Sequence, residues 1–156
     1  MQLATQIGAK YYIVPFGINN HFILGVVDFT QHPIHMYTLD SLRGRRSSTS
    51  TESLLFEVLL QALPANLRGG TQHSPLACVQ QPDMHNCGVF VIHYIHVLLV
   101  MLNSENQVID WSFVPQLTQF VADDVYQSFN PALYRRRIAR HARDNADAHV
   151  KSLLVL

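Results

Sequence analysis

HFILGVVDFTQHPIHMYTLD, His21 to Asp40, reads as two strands joined by a polar turn. HFILGVVD is apolar on both faces, which predicts a central strand. PIHMYTLD, Pro33 to Asp40, alternates and predicts its antiparallel neighbour. A symmetric hairpin around FTQH sets Asp28 opposite Pro33 and His21 opposite Asp40. Directly opposite residues share a face with Cβ atoms about 4.5–5.5 Å apart. That separation suits an imidazole hydrogen-bonded to a carboxylate. Singly, His21 reads as a strand-end histidine and Asp40 as a turn cap. The pairing gives the two a joint meaning.

Working outward, YYIVPF (Tyr11 to Phe16) predicts a preceding strand, and Pro15 puts it at an edge or a bulge. On the other side lies the basic, serine-rich loop LRGRRSSTST, Leu42 to Thr51. Thr49 with Glu52 forms a capping-box pattern that opens a helix ending before Pro64. Leu54, Leu55, Val58, Leu59 and Ala62 line one side of it. Leu67-Arg68-Gly69-Gly70 spells the tail of ubiquitin, but Gly-Gly is ordinary turn chemistry and predicts a loop. LACVQ, Leu76 to Gln80, predicts a short strand, and a helix starts near Gly88. From about Trp111 two more helices are expected, broken near Asn130-Pro131. Strands first and helices after predict an α+β fold, a small mixed or antiparallel sheet with helices packed on it.

The bulk numbers narrow the function classes. The chain has 156 residues, 48% of them hydrophobic and 14% charged, with zero formal net charge. One domain spanning 1–156 with a real core is expected, and disorder is not. No global charge draws it to nucleic acid or acidic lipid, and neither is an expected partner. Its two cysteines, Cys78 and Cys87, are too few for a disulfide scaffold. They predict a reducing compartment, intracellular, in nucleus or cytoplasm. The N-terminus has no secretory pattern, and the apolar run Gly88–Leu102 is short for a membrane span and carries His93 and His96.

QQPDMHNCGVF, Gln80 to Phe90, holds the chemistry. It places Cys87 at the first turn of a helix, where the partial positive charge of the N-terminus favours a thiolate. The thiolate is the nucleophilic form, and a nearby histidine would stabilise it further. Gly88 lets backbone approach a substrate carbonyl. The backbone N–H of Cys87 and the side-chain amide of Gln81 are available as oxyanion donors. Cys78 sits among apolar neighbours and reads as an inert buried thiol.

The order His–Asp–Cys, with QQP and CG bracketing the cysteine turn, resembles the ubiquitin-like-protein-specific cysteine proteases, the SUMO proteases related to the adenovirus protease. VPFGINNHFILGVVD, MYTLDSL, QQPDMHNCGVFV and NPALYRRRIARHA carry the resemblance in order, over roughly Tyr11 to Ala142. It implies a papain-like cysteine protease superfamily fold in the adenovirus-protease-like arrangement. By it, His21 is the general base, Asp40 orients the imidazole, Cys87 attacks the carbonyl of a C-terminal glycine, and Gln81 stabilises the oxyanion. Phe22 and Gly88 line the substrate tail, with Phe22 in the place of the tryptophan usual in the family. The implied partner is SUMO or ubiquitin and its conjugates, with no cofactor or metal. The chain is short at the N-terminus relative to family catalytic domains. Two alternatives stay open: a catalytically silent ubiquitin-like-protein binding module, and an acyltransferase using the same triad.

Other features have plainer readings. His93 and His96 with His85 could share a metal, but helix-edge or core histidines are expected, and His32 and His35 are expected at an exposed turn. The arginines of YRRRIARHAR predict a solvated helix face, with Leu133 and Ile138 on the core side.

Overall fold

In the computed structural model the described residues are 9–43, 48–103, 108–121 and 124–153, with side chains described except at 48–50, 121, 124–126 and 146–153. Strand β1 (Tyr11–Ile18), β2 (His21–Asp28), β3 (His35–Leu39) and β4 (Gln72–Leu76) form a sheet in the order β1-β2-β3-β4. The first three are antiparallel, and β4 runs parallel to β3 after the crossover through helices α1 (Ser48–Ala62) and α2 (Ala65–Arg68). Helix α3 (Cys87–Leu102) follows, then α4 (Val114–Leu117), a small hairpin of β5 (Phe120–Val121) and β6 (Asp124–Ser128), and helix α5 (Pro131–Leu153). The fold is α+β, as the strand-then-helix order predicts.

β2 is central because it is apolar on both faces, and each face has its own core. Leu24 and Val26 join Tyr37 and Leu39 against Phe90, Val91, Tyr94 and Leu98 of α3. Ile23, Val27 and Met36 pack against Leu55, Leu59 and Leu63 on the α1 side. Gly25 allows the close approach of α1: a β-carbon there would fall 2.9 Å from Leu55 Cδ2 and 3.0 Å from Leu59 Cδ1. β1 is the edge strand that Pro15 calls for.

The β2–β3 register differs from the symmetric hairpin by two residues. Asp28 pairs with His35, not Pro33, and Leu39 pairs with Leu24. The cause is a longer loop organised by the buried Asp28 carboxylate. It accepts hydrogen bonds from the Thr30 amide and hydroxyl, from Gln31 Nε2 and from Trp111 Nε1. A shift of two preserves which face each side chain takes. Asp40 therefore stays on His21's side of the sheet, diagonal rather than opposite.

Three further expectations are corrected. LACVQ is not a strand: β4 ends at Leu76. Beyond it the backbone is satisfied by other partners, with the Val79 amide on Thr118 Oγ1 and the Gln81 amide on the Ser41 carbonyl. The first helix expected after Trp111 is cut to the short α4, and from Phe120 the β5–β6 hairpin takes its place, where VYQS carries the β-branched and aromatic residues that suit a strand. On α5, Leu133 is 50% exposed and Tyr134 takes the buried place. Asn130 caps that helix, its Oδ1 accepting from the amides of Ala132 and Leu133. Residues 67–70 hold part of α2 and the turn after it. Residues 44–47 of the basic loop and the Thr49 side chain lie outside what is described, and the capping-box pattern with them; Glu52 Oε1 accepts from Arg43.

The histidines of α3 serve packing. His93 is fully buried, stacks on Phe129 at 3.8 Å between centroids, and donates from Nε2 to the Thr118 carbonyl. His96 bonds the Tyr134 hydroxyl through Nδ1. His32 is exposed, but His35 stacks on Tyr37 and bonds Ser74 Oγ. Burial pushes the His93 pKa down to about 4, against about 6.5 in an unfolded chain. Below pH 6.5 the unfolded chain therefore takes up a proton that the folded one refuses. Stability is expected to fall between pH 6.5 and 4, by up to about 3 kcal/mol. Urea unfolding of wild type and His93→Phe across that range checks this: the variant should lose less stability. Parallel losses would remove His93 as the cause.

Candidate active site

The site is assembled from one hairpin, one turn and one helix end. Asn19 and Asn20 both have positive φ, 50° and 59°, and Ile18 pairs with His21. This two-residue turn of the I′ kind suits the twist of a hairpin. It starts β2 at His21, which is 5% exposed. His21 Nε2 lies 3.0 Å from Asp40 Oδ1. A carboxylate only accepts, so Nε2 carries the hydrogen and the lone pair of the neutral ring falls on Nδ1. That Nδ1 is buried with no hydrogen-bond partner among the described residues.

Asp40 is fixed from several directions at the end of β3. Its Oδ1 also accepts from the Leu42 amide at 2.8 Å. Its carbonyl accepts from Gln80 Nε2 at 3.0 Å and from the Cys78 thiol at 3.4 Å. Next door, Ser41 donates to Gln81 Oε1 at 2.6 Å, and Gln81 Nε2 donates to the Asp83 carbonyl at 2.6 Å. Gln81 is wholly buried. One amide hydrogen of its pair is committed to Asp83, and the second is the one an oxyanion could use.

Asp83 folds the turn that leads into the thiol. Its Oδ1 accepts from the amides of His85 and Asn86, and its Oδ2 from the Asn86 side chain. The His85 amide bond is the largest of the influences that hold its carboxyl below the usual range. Arg135 of α5 reaches Asn86 Oδ1. Helix α3 then opens at Cys87. Its buried stripe runs Cys87, Phe90, Val91, Tyr94, Val97, Leu98, the helical spacing of a core-facing surface. Cys87 is the first member, so the packing that docks α3 on the sheet also carries the sulfur there. First-turn amides, that of Cys87 among them, have no intrahelical acceptor, and Asn86 does not cap them through its side chain.

Cys87 Sγ lies 3.9 Å from the carbonyl oxygen of Asn20, the residue before His21. The thiol is thus seated at the start of β2. It also borders a groove of about 840 Å³, lined among others by Asn20, Phe22, Met84, Gly88 and Arg135. Phe22 is 46% exposed there. Both sulfurs are largely shielded, Cys87 5% and Cys78 8% exposed, but Cys78 does not line that groove, and burial pushes its thiol up to about 11. Such an arrangement combines a thiol beside the residue before His21, a histidine whose Nδ1 has no hydrogen-bond partner among the described residues, and helix-end amides that the Asn86 side chain does not cap. It has the parts for acyl transfer.

Residues 5–140 match the Ulp1 protease family, C-terminal catalytic domain, and the chain belongs to that family. No curated protein matches the chain. Two solved structures of the SUMO protease Ulp1 are similar to it over 74% of its length. One has the catalytic cysteine oxidized to a sulfinic acid (19% identity, TM-score 0.44) and the other to a sulfenic acid (18% identity, TM-score 0.43). The chain spans 52% and 54% of those two chains, about half their length. Among the described residues, no helix is long and apolar enough to cross a membrane.

Of the residues singled out in the sequence, His21 and Asp40 are bonded, Cys87 lies beside Asn20, Gln81 is tied to Ser41 next to Asp40, and Phe22 and Gly88 border the groove. Asn20 and Asp83 were not anticipated. An Asn-Asn pair between two apolar runs is itself a hairpin signal, and Asp83 three residues before Asn86 is an Asx-turn signal.

The two thiols should differ in reactivity. Iodoacetamide at neutral pH is expected to label Cys87 in the native protein and Cys78 only after unfolding, as read by peptide mass mapping. Labelling of both at equal rates would contradict the difference between a thiol at the groove and one whose pKa is raised in the core.

Proposed function

We propose that this chain is a cysteine peptidase that cleaves after the diglycine tail of a ubiquitin-like protein. The observation that carries the reading is the His21–Asp40 bond, which leaves Nδ1 open in the part of the fold where Cys87 is seated. In this mechanism Nδ1 takes the Cys87 proton, and the sulfur attacks the carbonyl carbon of the terminal glycine. The oxyanion accepts hydrogen bonds from the Cys87 amide and from Gln81 Nε2. His21 returns the proton to the departing amine, the C–N bond breaks, and a thioester remains. A water, deprotonated by His21, attacks that thioester; the tail is released as a carboxylate and the thiol is regenerated. Asp40 holds the ring and offsets its charge while it is an imidazolium.

Phe22 and Gly88 border the groove at the sulfur, where a tail without side chains would lie. SUMO and its conjugates are the substrate class favoured by family membership, with ubiquitin the nearest alternative. The scissile bond is a peptide in a precursor or an isopeptide in a conjugate.

Vinyl sulfones of SUMO and ubiquitin test this. An adduct on Cys87 with at least one of them is expected, lost in Cys87→Ser and His21→Ala. Asp40→Asn is expected to slow turnover of a diglycine substrate by about 10²-fold or more, and Gln81→Ala by about 10- to 10³-fold. No adduct with either reagent, on protein whose circular dichroism shows it folded, sinks the reading.

A further inference from the structure

Phe22 is held in an unusual seat. In the β1–β2 register its partner is Gly17. A β-carbon on Gly17 would fall 2.7 Å from Phe22 Cε1, closer than side chains approach, and 3.0 Å from Cδ1. On the opposite ring edge, a β-carbon on Gly88 would sit 3.9 Å from Cδ2, an ordinary contact. The ring therefore presses on the bare backbone of the edge strand and reaches the residue that follows the thiol. Gly17 is not among the positive-φ residues, so its backbone does not demand glycine. The ring does.

We propose that Gly17 is a positioning residue: by leaving out a side chain it seats the Phe22 ring across β1, at the margin of the groove at Cys87, and so sets the headroom above the sulfur. For its substrate this rests on the peptidase reading; for the ring placement it does not. An aromatic ring covering a cross-strand glycine can also serve stability alone. Here the ring is half exposed and borders the groove, and that sets the two roles apart experimentally. A methyl group on Gly17 drives the ring toward Gly88 and narrows the entrance. The atoms struck are at the end of a half-exposed side chain, so the strand itself is spared.

The test is a cycle of Gly17→Ala and Phe22→Ala, read at Cys87. Gly17→Ala is expected to slow reaction with a diglycine vinyl sulfone probe about tenfold. Its iodoacetamide rate should stay within about twofold, and in the Phe22→Ala background it should change neither rate by more than about twofold. Should Gly17→Ala fold poorly, Gly17→Ala/Phe22→Leu relieves the clash and is expected to react like Phe22→Leu alone. An unchanged probe rate in Gly17→Ala, an equal loss in the Phe22→Ala background, or an effect confined to melting temperature overturns the proposal. A second readout needs no ubiquitin-like protein: the rate of Cys87 labelling by N-phenylmaleimide relative to iodoacetamide. That ratio should fall in Gly17→Ala. If wild type reacts with no diglycine probe, the peptidase reading fails and this ratio alone decides Gly17, an unchanged value counting against it.

Discussion

A buried hydrogen bond, His21 Nε2 to Asp40 Oδ1 at 3.0 Å, is the interaction on which the rest of the site depends. Both partners are almost fully shielded from water. A buried carboxylate is costly unless its oxygens are met by donors. Here the Leu42 amide and the His21 ring meet the same oxygen, while Oδ2 has no partner among the described residues. The bond also fixes which ring nitrogen carries hydrogen. With Nε2–H turned to the carboxylate, Nδ1 is the basic atom, and its lack of a partner in a buried place is a cost without a structural return. Buried polar atoms left open cluster where chemistry needs them. The other buried imidazole nitrogen without a partner among the described residues, His93 Nδ1, sits in an aromatic core, stacked on Phe129.

From Asp40 the constraint spreads through short polar links. Ser41 ties the end of β3 to Gln81, and Gln81 ties that contact to the turn that Asp83 folds. The histidine side and the cysteine side of the site are thereby held by one chain of hydrogen bonds. Arg43 adds a clasp at the edge. It binds Glu52 on α1 through two nitrogens and the Leu76 carbonyl at the end of β4. The apolar stripe of α3 supplies the other half of the geometry, since the same burial that docks the helix on β2 sets the depth of Cys87.

Much of this was legible in the residues. The two-faced apolar strand His21–Asp28, the edge position implied by Pro15, the helix opening at the cysteine and the inert setting of Cys78 all follow from pattern and burial rules. The proximity of His21 and Asp40 was reached through a register that is wrong by two residues. It survives because a shift of two preserves facing, whereas a shift of one would have parted them. What misled the count was Asp28, whose carboxylate builds a loop out of contacts that local sequence does not reveal, Trp111 among them. The strand expected at LACVQ failed for a similar reason. The amide of Val79 within it and that of Gln81 just after it are claimed by Thr118 and Ser41, both distant in sequence. The β5–β6 hairpin was hidden by brevity, since a two-residue strand carries no period to read.

The central claim concerns one nitrogen: His21 is held by Asp40 through Nε2 so that Nδ1 serves the sulfur of Cys87. Long-range proton–nitrogen NMR correlations of the histidine rings, in wild type and in Cys87→Ser, report on it directly. The account predicts that His21 keeps a protonated Nε2 in both and that its Nδ1 resonance is the one that moves when the sulfur is replaced. A His21 protonated at Nδ1 alone, or an Nδ1 indifferent to the substitution, would contradict it.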